Sequence, residues 1–448
     1  MSTPRVVVLG GGLSGLAAAY TLAKAGWKHV TVVERGLELG GLAGTFEADG
    51  HFYPLAYHHI LHRDQGLLYF LDRIDALRDV RWRKVRMLFR LDGRMYDLAD
   101  PVDFLRFPMS LTDKLRFVRL MARCFVKSDW TDWHERSAAE LVDAWGGPGV
   151  RQAIFDPLTR LKFDRPCDEV SGAWLGARLY FREGSAPLGY IPGSNWTKVL
   201  CDGVTGLIER ASVRVRPGTS VVRLVGDGDS ITRVELDDGE SLATDLVVST
   251  VPTEVYQELL GESRPELEAI QYTAIVSAIF TTRQRIRPDF YWMNLASLDC
   301  SACGIFALNS LNPTIGGPGE TCLNIMSHVR SRKDTFFNQS DEQILAAYRA
   351  DFRRVFGFEI TPVWSRLNRL PMYSPVFYRG YRNPTLRDPR LRNVYLAGNY
   401  RTFPSVASTG TALRSGVETG AAMLADHGCT TDLPEAIGRF RLASMPKG

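Results

Sequence analysis

The fold is decided by the stretch VVVLGGGLSG at residues 6–15, which runs into the helical sequence LAAAY. Its four leading apolar residues, three of them β-branched, predict a buried parallel strand. Gly10, Gly12 and Gly15 then form a G-x-G-x-x-G pattern at the turn into a helix. The first glycine permits a tight turn, the second leaves room for a pyrophosphate, and the third lets the helix pack closely on the strand.

A second strand, at residues 29–33, supports this interpretation because it ends at Glu34. This is the acid expected roughly 20 residues further on, where it bonds a ribose hydroxyl. The helix N-terminus, at Leu13 and Ser14, offers backbone N–H groups and a positive dipole end to the phosphates. Together these features predict a dinucleotide-binding unit. The alternative is a glycine-rich turn that holds no ligand.

Length and composition bound the other possibilities. The 448 residues exceed one ordinary core and predict two domains. A net charge of +4 on this length gives no argument for nucleic-acid binding. No run of 18 apolar residues occurs, so no transmembrane helix is expected. The seven cysteines are scattered and fit a reducing compartment, so we expect a cytoplasmic protein.

A second glycine cluster, RGLELGGLAGT at residues 35–45, closely follows the acid. It indicates a backbone loop passing near a large cofactor, which FAD enzymes of the glutathione-reductase type need and NAD enzymes rarely do. The fingerprint, the acid and the second Gly-Gly pair together resemble the superfamily of FAD-dependent amine oxidases, protoporphyrinogen oxidases and phytoene desaturases. The resemblance covers about residues 4–425. It is nearest to bacterial protoporphyrinogen-oxidase-like proteins.

The resemblance implies which residues hold FAD. Thr250 lies on the strand that returns to the parallel sheet, and Gly398-Asn399 forms the last cofactor loop, ahead of a small-residue helix at 412–423. We expect the N–H groups at the start of that helix to stabilise negative charge at the flavin N1–O2 edge. The predicted cofactor-binding residues are Gly10, Gly12, Leu13, Ser14, Gly15, Glu34, Arg35, Gly41, Leu42, Ala43, Tyr57, His58, Val221, Thr250, Gly398, Asn399, Val406 and Ala407.

Two positions depart from the family pattern. Leu42 stands where the family usually has arginine after the two glycines, so one polar contact near the cofactor is missing. Asn399 stands where the family usually has aspartate. Its amide still bonds a ribityl hydroxyl or a phosphate, and it places no charge beside the pyrophosphate. We interpret the change at Asn399 as tuning of the cofactor site.

Residues 51–62 contain four of the eight histidines. No metal site is expected, because no downstream Cys or His cluster completes a ligand set. In the resembling family this segment runs past the flavin ring, which makes His58 and His59 the candidate catalytic residues. The alternative is that they are ordinary hydrogen-bonded structural histidines.

The predicted fold class is α/β (α+β overall): a Rossmann-like FAD-binding domain of the glutathione-reductase type with an inserted substrate domain of antiparallel sheet plus helices. The FAD-binding domain combines residues 1–62, 190–265 and 385–428, and the substrate domain combines 63–189 and 266–384. Residues 429–448 form a C-terminal tail that we expect to be weakly ordered.

Local signals add detail to this architecture. Asp92-Gly93 predicts a two-residue hairpin near the start of the substrate domain. Ser340 and Gln343 predict a capping box at a helix start. Four short strands between residues 213 and 242 predict a β-meander.

Residues 104–127 are helical in pattern, apolar and basic. One interpretation is peripheral contact with a membrane surface. The other, which the pattern alone favours, is an amphipathic core helix with a solvated basic face.

Three functions remain open. The first is an FAD-dependent oxidoreductase that takes a hydride from a C–H bond of a bulky or amine-bearing small molecule, with reoxidation by oxygen or another acceptor. The second is a flavin-dependent isomerase of the UDP-galactopyranose mutase type, in which arginines hold a nucleotide sugar. The third is a non-enzymatic protein on the same fold. The candidate arginines for the second function are Arg178, Arg182, Arg283, Arg285 and Arg287, and the alternative is that they are ordinary solvated surface residues.

Overall fold

The computed structural model describes residues 3–181, 186–296 and 299–443. Its strands are β1 (Val6–Leu9), β2 (Val30–Val33), β3 (Thr45–Ala48), β4 (His51–Pro54), β5 (Arg81–Arg83), β6 (Met87–Leu91), β7 (Arg94–Asp97), β8 (Leu188–Tyr190), β9 (Arg214–Arg216), β10 (Val221–Asp227), β11 (Ser230–Leu236), β12 (Ser241–Ala243), β13 (Leu246–Ser249), β14 (Tyr272–Thr282), β15 (Trp292–Leu295), β16 (Gly304–Ala307), β17 (Thr321–Val329), β18 (Pro362–Pro375) and β19 (Val394–Leu396).

The helices in the same residues are α1 (Leu13–Lys24), α2 (Gln65–Arg73), α3 (Pro101–Arg106), α4 (Leu111–Val126), α5 (Ala138–Trp145), α6 (Pro148–Val150), α7 (Asp156–Phe163), α8 (Gly172–Phe181), α9 (Trp196–Arg210), α10 (Thr253–Leu260), α11 (Pro265–Glu268), α12 (Leu308–Leu311), α13 (Asp341–Phe356), α14 (Thr409–Asp426) and α15 (Leu433–Arg439). None of these helices has the length and apolar character needed to cross a bilayer.

A five-stranded parallel sheet has the order β19-β13-β1-β2-β9. The predicted first strand, β1, lies at its centre, and all four of its residues are buried. Val6 pairs with Val30 on one side and with Leu246 on the other. Apolar residues without polar alternation therefore form a central strand covered on both faces, as expected for a parallel sheet.

The β-meander prediction is wrong in one strand. Arg214–Arg216 does not join its sequence neighbours but forms the edge of the parallel sheet, beside β2. The remaining strands, β10, β11 and β12, form the three-stranded antiparallel sheet. Backbone pairing between distant segments decides this placement, and the local pattern of a short strand carries no information about it.

A seven-stranded sheet has the order β18-β14-β17-β16-β15-β6-β7. Its strands come from residues 87–97 and 272–375, and every pair is antiparallel except β15 with β6. The hairpin prediction is confirmed, since Leu91 pairs with Arg94 across Asp92 and Gly93, both with positive φ. The division of the chain into two domains stays a prediction.

Helices α1 and α14 pack closely because glycines face the contact. A Cβ on Gly416 would lie 2.1 Å from the carbonyl oxygen of Ser14, and one on Gly420 would lie 2.9 Å from the Cβ of Thr21. The Ser14 hydroxyl donates to the carbonyl of Ala412 at 2.8 Å. The small-residue helix therefore lies directly against the helix of the first glycine turn.

Helix α4 buries one face in the core and leaves apolar residues exposed on another. Leu111, Leu115 and Val118, which share one face of α4, are 72%, 73% and 55% exposed. On α4 the buried residues are Lys114, Leu120 and Cys124. The Lys114 ammonium donates to the carbonyls of Leu105 and Met109, at 2.8 and 3.0 Å. The core-helix interpretation therefore holds for the face that carries Leu120 and Cys124, whereas the solvated face is apolar as well as basic.

The prediction of a weakly ordered tail is also wrong for residues up to 443. Helix α15 lies in it, and its Leu433 and Ile437 are buried in the core that contains α1 and α2. Phe440 packs edge-on against Tyr69, with ring centroids 5.9 Å apart. Three apolar residues in a short polar segment are enough to dock it.

Candidate active site

One cavity of about 770 Å³ lies at the carboxyl ends of the parallel strands. Gly10 follows β1, Glu34 follows β2, Thr250 follows β13 and Gly398 follows β19, and all four line it. Ligands of open α/β sheets bind at this edge. The cavity continues from there to a chamber beside the seven-stranded sheet. Tyr57, Trp292 and Tyr373 line this part, which we call the aromatic chamber.

The backbone requires glycine at two positions of the first turn, Gly10 and Gly15. Gly10 has φ of +98°, and a Cβ on Gly15 would lie 2.0 Å from the Gly10 carbonyl oxygen. Gly12 is open, because the nearest atom to its Cβ position is 3.9 Å away. In the described structure α1 begins at Gly12 without a side-chain cap. Its first N–H groups thus face a space into which an anion fits.

Glu34 is held in place by backbone amides. One carboxylate oxygen accepts from the Gly11 N–H at 2.7 Å and the other from the Gly36 N–H at 2.8 Å. Each oxygen keeps a lone pair for a further donor. The side chain is therefore oriented at the cavity edge, as a ribose contact requires.

The second glycine loop joins the first to form one cradle. The Gly40 N–H donates to the Gly11 carbonyl at 2.9 Å. A Cβ on Gly41 would lie 3.2 Å from the Cα of Gly12, so side chains at these positions would fill the space between the loops. The cradle fits the diphosphate of a dinucleotide, which approaches backbone N–H groups closely.

The opposite wall is formed by the late strands and α14. The Thr250 hydroxyl donates to the Leu9 carbonyl at 2.8 Å, which ties β13 to β1 below the cavity. The Gly398 N–H donates to the Ser415 hydroxyl at 3.0 Å. The Asn399 amide donates to the Tyr373 carbonyl at 3.3 Å. In this structure the Asn399 side chain therefore donates a hydrogen bond to the protein backbone.

The structure brings together nearly the whole predicted cofactor set. Gly15 is the exception, since it packs under the turn. The residues that line the cavity are Gly10, Gly12, Leu13, Ser14, Glu34, Arg35, Gly41, Leu42, Ala43, Tyr57, His58, Val221, Thr250, Gly398, Asn399, Val406 and Ala407.

The segment 57–59 enters the cavity from the side of the seven-stranded sheet. The Tyr57 N–H donates to the amide oxygen of buried Asn324 at 3.2 Å. The Tyr57 ring stacks on Phe306 with centroids 3.7 Å apart. One polar contact and one ring contact therefore fix the position of this segment.

His58 and His59 both line the cavity. His58 Nδ1 lies 2.8 Å from the Ala56 carbonyl and donates to it, so Nε2 carries no proton while the ring is neutral. Burial lowers the pKa of His58, which keeps it neutral. His59 Nδ1 lies 3.3 Å from the Tyr291 hydroxyl. No group of three His, Cys, Asp or Glu among the described residues is arranged to hold a metal.

Sequence reasoning missed Asp64, a buried acid in the cavity wall. Its carboxylate caps α2 by accepting from Leu67 N–H at 3.3 Å. It also accepts from the Gly410 N–H at 3.3 Å and the Ser408 hydroxyl at 3.1 Å, at the start of α14. The Gly410 N–H is therefore already bonded to Asp64 and is not free for the flavin, contrary to part of the expectation for the start of α14. Burial raises the pKa of Asp64 to about 6.

This raised pKa predicts a specific dependence of stability on pH. Because the folded state holds the Asp64 proton more tightly than the unfolded state, the free energy of unfolding falls as pH rises from 4 to 7. The contribution is about 3 kcal/mol, from a shift of about two pK units. Asp64→Asn keeps the cap and should remove that part of the slope, as measured by denaturation of the apoprotein across this range.

The matched control for this experiment is Asp129→Asn. Hydrogen bonds from Thr131 lower the pKa of Asp129, so this group is ionised in both the folded and the unfolded state over most of the range, and its loss should leave the slope nearly unchanged. Equal slopes for wild type and Asp64→Asn would contradict the assignment.

Two cationic side chains from the helical part of the chain also line the aromatic chamber. Arg178 and Lys162 line it together with Tyr373. Of the arginines considered for a nucleotide sugar, Arg283, Arg285 and Arg287 are exposed and outside the cavity. Arg182 lies outside the described residues. The described arginines therefore do not assemble into one cluster.

Comparison with known proteins agrees with this geometry. The sequence profile of the flavin-containing amine oxidoreductase family matches residues 13–424. The 15-cis-phytoene desaturase of Solanum lycopersicum is 21% identical over 477 residues, which cover 94% of this chain and 78% of that protein.

Solved structures show the same fold. A protein assigned as a protoporphyrinogen oxidase from Exiguobacterium sp. 255-15 superposes with a TM-score of 0.75 at 19% identity, covering 94% of this chain and 99% of that one. Reduced UDP-galactopyranose mutase superposes with a TM-score of 0.74 at 15% identity, covering 98% of each chain. The described fold is thus the mixed α/β fold with a Rossmann-like FAD-binding unit.

The protein is a flavoenzyme of the α/β class. It belongs to the flavin-containing amine oxidoreductase family, and it is an FAD-dependent oxidoreductase. The predicted family and the predicted cofactor are confirmed. The non-enzymatic alternative is not supported.

Proposed function

We propose that the enzyme oxidises a bulky, largely apolar small molecule by transfer of a hydride from one of its C–H bonds to bound FAD. The observation that supports this is the continuity of one cavity from the glycine cradle to the aromatic chamber. The bound flavin supplies the hydride acceptor, so the chain itself needs no nucleophile or metal.

The chain's residues then have three tasks. The two glycine loops and Glu34 hold the ADP half of FAD, with phosphates on the N-terminus of α1. Gly398, Asn399, Val406 and Ala407 hold the flavin half. Tyr57, Trp292 and Tyr373 exclude water and orient the substrate.

His58 and His59 stay candidate catalytic residues in this proposal. A neutral His58 with an unprotonated Nε2 is able to accept a proton from a substrate in the chamber. His59 and Tyr291 form the polar edge of an otherwise aromatic wall.

The experiment is an anaerobic flavin-reduction screen with carotenoid precursors, porphyrinogens, amines and nucleotide sugars. Bleaching of the flavin band at ~450 nm by an apolar or amine substrate supports the proposal, since the flavin reports hydride transfer. Isomerisation of a nucleotide sugar by dithionite-reduced enzyme without an electron acceptor would instead support the mutase alternative. Trp292→Ala should slow reduction while leaving FAD content unchanged.

We also propose that α3 and α4 dock on an anionic membrane surface. The exposed face Leu111, Leu115 and Val118 lies beside the exposed cations Arg116 and Arg119, the combination that binds interfaces. Helix α4 packs on α8, whose Arg178 and Phe181 line the cavity. An apolar substrate would reach the chamber from this side.

Vesicle sedimentation tests this docking. Wild type should bind vesicles of phosphatidylglycerol and phosphatidylcholine more tightly than pure phosphatidylcholine. Leu115→Glu/Val118→Glu should weaken binding at least about tenfold, because two exposed aliphatic side chains that would insert into the bilayer are replaced by charges. Val363→Glu, at a valine 48% exposed on β18, is the matched control and should bind as wild type. Unchanged binding of the double variant would refute the assignment.

A further inference from the structure

Arg178 lines the aromatic chamber, and the described part of the chain places no carboxylate beside it. Arg178 is in the last turn of α8, and its side chain lines the cavity near Tyr57 and Tyr373. The guanidinium carbon lies 5.6 Å from the ring centroid of Trp174. Within the described parts of the chain, no carboxylate or carbonyl accepts a hydrogen bond from it. The surface that Arg178 retains faces the cavity.

Two buried arginines elsewhere show how this chain normally neutralises such a group. Arg264 pairs with buried Asp388 at 2.8 Å, and Arg90 pairs with Asp299 at 3.3 Å. A partly buried cation that lacks a carboxylate partner is unfavourable, so proteins rarely keep one without a use. Burial lowers the pKa of Arg178, whereas Asp388 and Glu262 outweigh burial and raise that of Arg264.

Among the described residues, the groups around Arg178 do not supply a negative charge. Burial raises the pKa of Tyr373 well beyond neutral pH, so this phenol stays protonated. His328, with its ring 5.6 Å from that of Tyr373, has its pKa lowered well below its usual value by burial and by the positive charges of Lys162 and Arg178. Lys162 also lines the cavity and adds to the positive potential. This end of the chamber is therefore cationic.

We propose that the substrate carries an anionic oxygen group, a carboxylate or a phosphate, and that Arg178 binds it. This assignment rests on the proposed function, because it concerns the same chamber. A planar guanidinium forms paired charge-assisted hydrogen bonds with either group. The apolar part of the substrate then lies along Tyr57 and Trp292. Because Arg178 holds the substrate's anionic group in place, that contact determines which C–H bond faces the flavin. A pure hydrocarbon or a cationic amine would leave Arg178 unpaired.

The test is a titration of the FAD-loaded enzyme with four probes of equal chain length: decanoate, decyl phosphate, decanol and decylamine. Binding is followed by the flavin difference spectrum and by the shift in thermal midpoint. We expect an anionic probe to bind at least about tenfold more tightly than decanol, as a charge-assisted contact implies. The stronger of decanoate and decyl phosphate identifies the group. Equal affinity for decanol, or tighter binding of decylamine, would overturn the proposal.

Three variants complete the test. Arg178→Met should abolish the preference for the anion and leave decanol affinity unchanged, and Arg178→Lys should retain part of the preference. Arg285→Gln, at an exposed arginine outside the cavity, should behave as wild type. Removal of an unpaired buried cation should not lower the thermal midpoint, whereas a structural role would lower it. If the enzyme prefers anionic probes but no tested substrate reduces its flavin, the proposed function is refuted and the anion-binding site at Arg178 is still supported.

Discussion

Gly15→Ala is expected to abolish FAD binding and to lower the free energy of unfolding by roughly 3 kcal/mol. The added Cβ would lie 2.0 Å from the Gly10 carbonyl oxygen and 3.1 Å from the Thr250 hydroxyl. Neither neighbour is able to move away, since the Gly10 N–H is bonded to Val33 and the Thr250 hydroxyl to Leu9. Displacing α1 would also open the cradle. FAD content of the purified protein and denaturation of its apo form measure the two effects.

The control for this glycine is Gly438→Ala, in the exposed part of α15. No atom lies within 4 Å of its Cβ position, and its φ is not in the left-handed region. Alanine there should stabilise the helix by about 0.5–1 kcal/mol and leave FAD content unchanged. A Gly15→Ala protein that keeps its FAD would show that α1 does not touch the cofactor.

Arg264→Met is expected to cost about 3–5 kcal/mol of stability, because it leaves the Asp388 carboxylate buried without its cation. Arg264 and Asp388 are 1% and 0% exposed. Asp388 also accepts from the Tyr256 hydroxyl at 2.7 Å, and its own N–H donates to the Val394 carbonyl. The damage should therefore reach β19 and weaken FAD retention. Chemical denaturation and the rate of FAD release measure it.

Two further variants separate the buried charge from general disruption. Arg264→Met/Asp388→Leu should recover much of the loss, since no charge is left unpaired. Arg353→Met removes an exposed pair with Glu359 and should have no measurable effect. A double variant as unstable as the single one would mean that packing, not charge, dominates at Asp388.

The sequence predicted most reliably those features whose cause is local. The strand, turn and helix at 6–15, the Asp92-Gly93 hairpin and the capping box of Ser340 with Gln343 are all found in the structure. In each, the residues that determine the conformation lie within a few positions of one another. The loops that line the cavity were also predictable, for a different reason. The strand ends that carry them meet at one edge of a parallel sheet, whatever their separation in the sequence.

Features that depend on distant contacts could not be predicted. Arg214–Arg216 joins the parallel sheet through pairing with β2, and α15 docks through contacts with α2. Asp64 and Arg178 line the site only because α2 and α8 pack beside the cavity. The exposure of the apolar face of α4 follows from where its neighbours end, which its own periodicity does not encode. The positions of these elements are therefore determined by long-range packing, which the local sequence pattern does not encode.

The contact between α1 and α14 has a consequence for synthesis on the ribosome. Ser14 and Ala412, which bond each other in it, are 398 positions apart. The first glycine turn thus leaves the exit tunnel long before the helix that completes the cofactor wall exists. We therefore expect FAD to bind only after α14 has been made, so that a chain truncated before Thr409 is colourless. Flavin colour would then report translation through the helix that ends at Asp426.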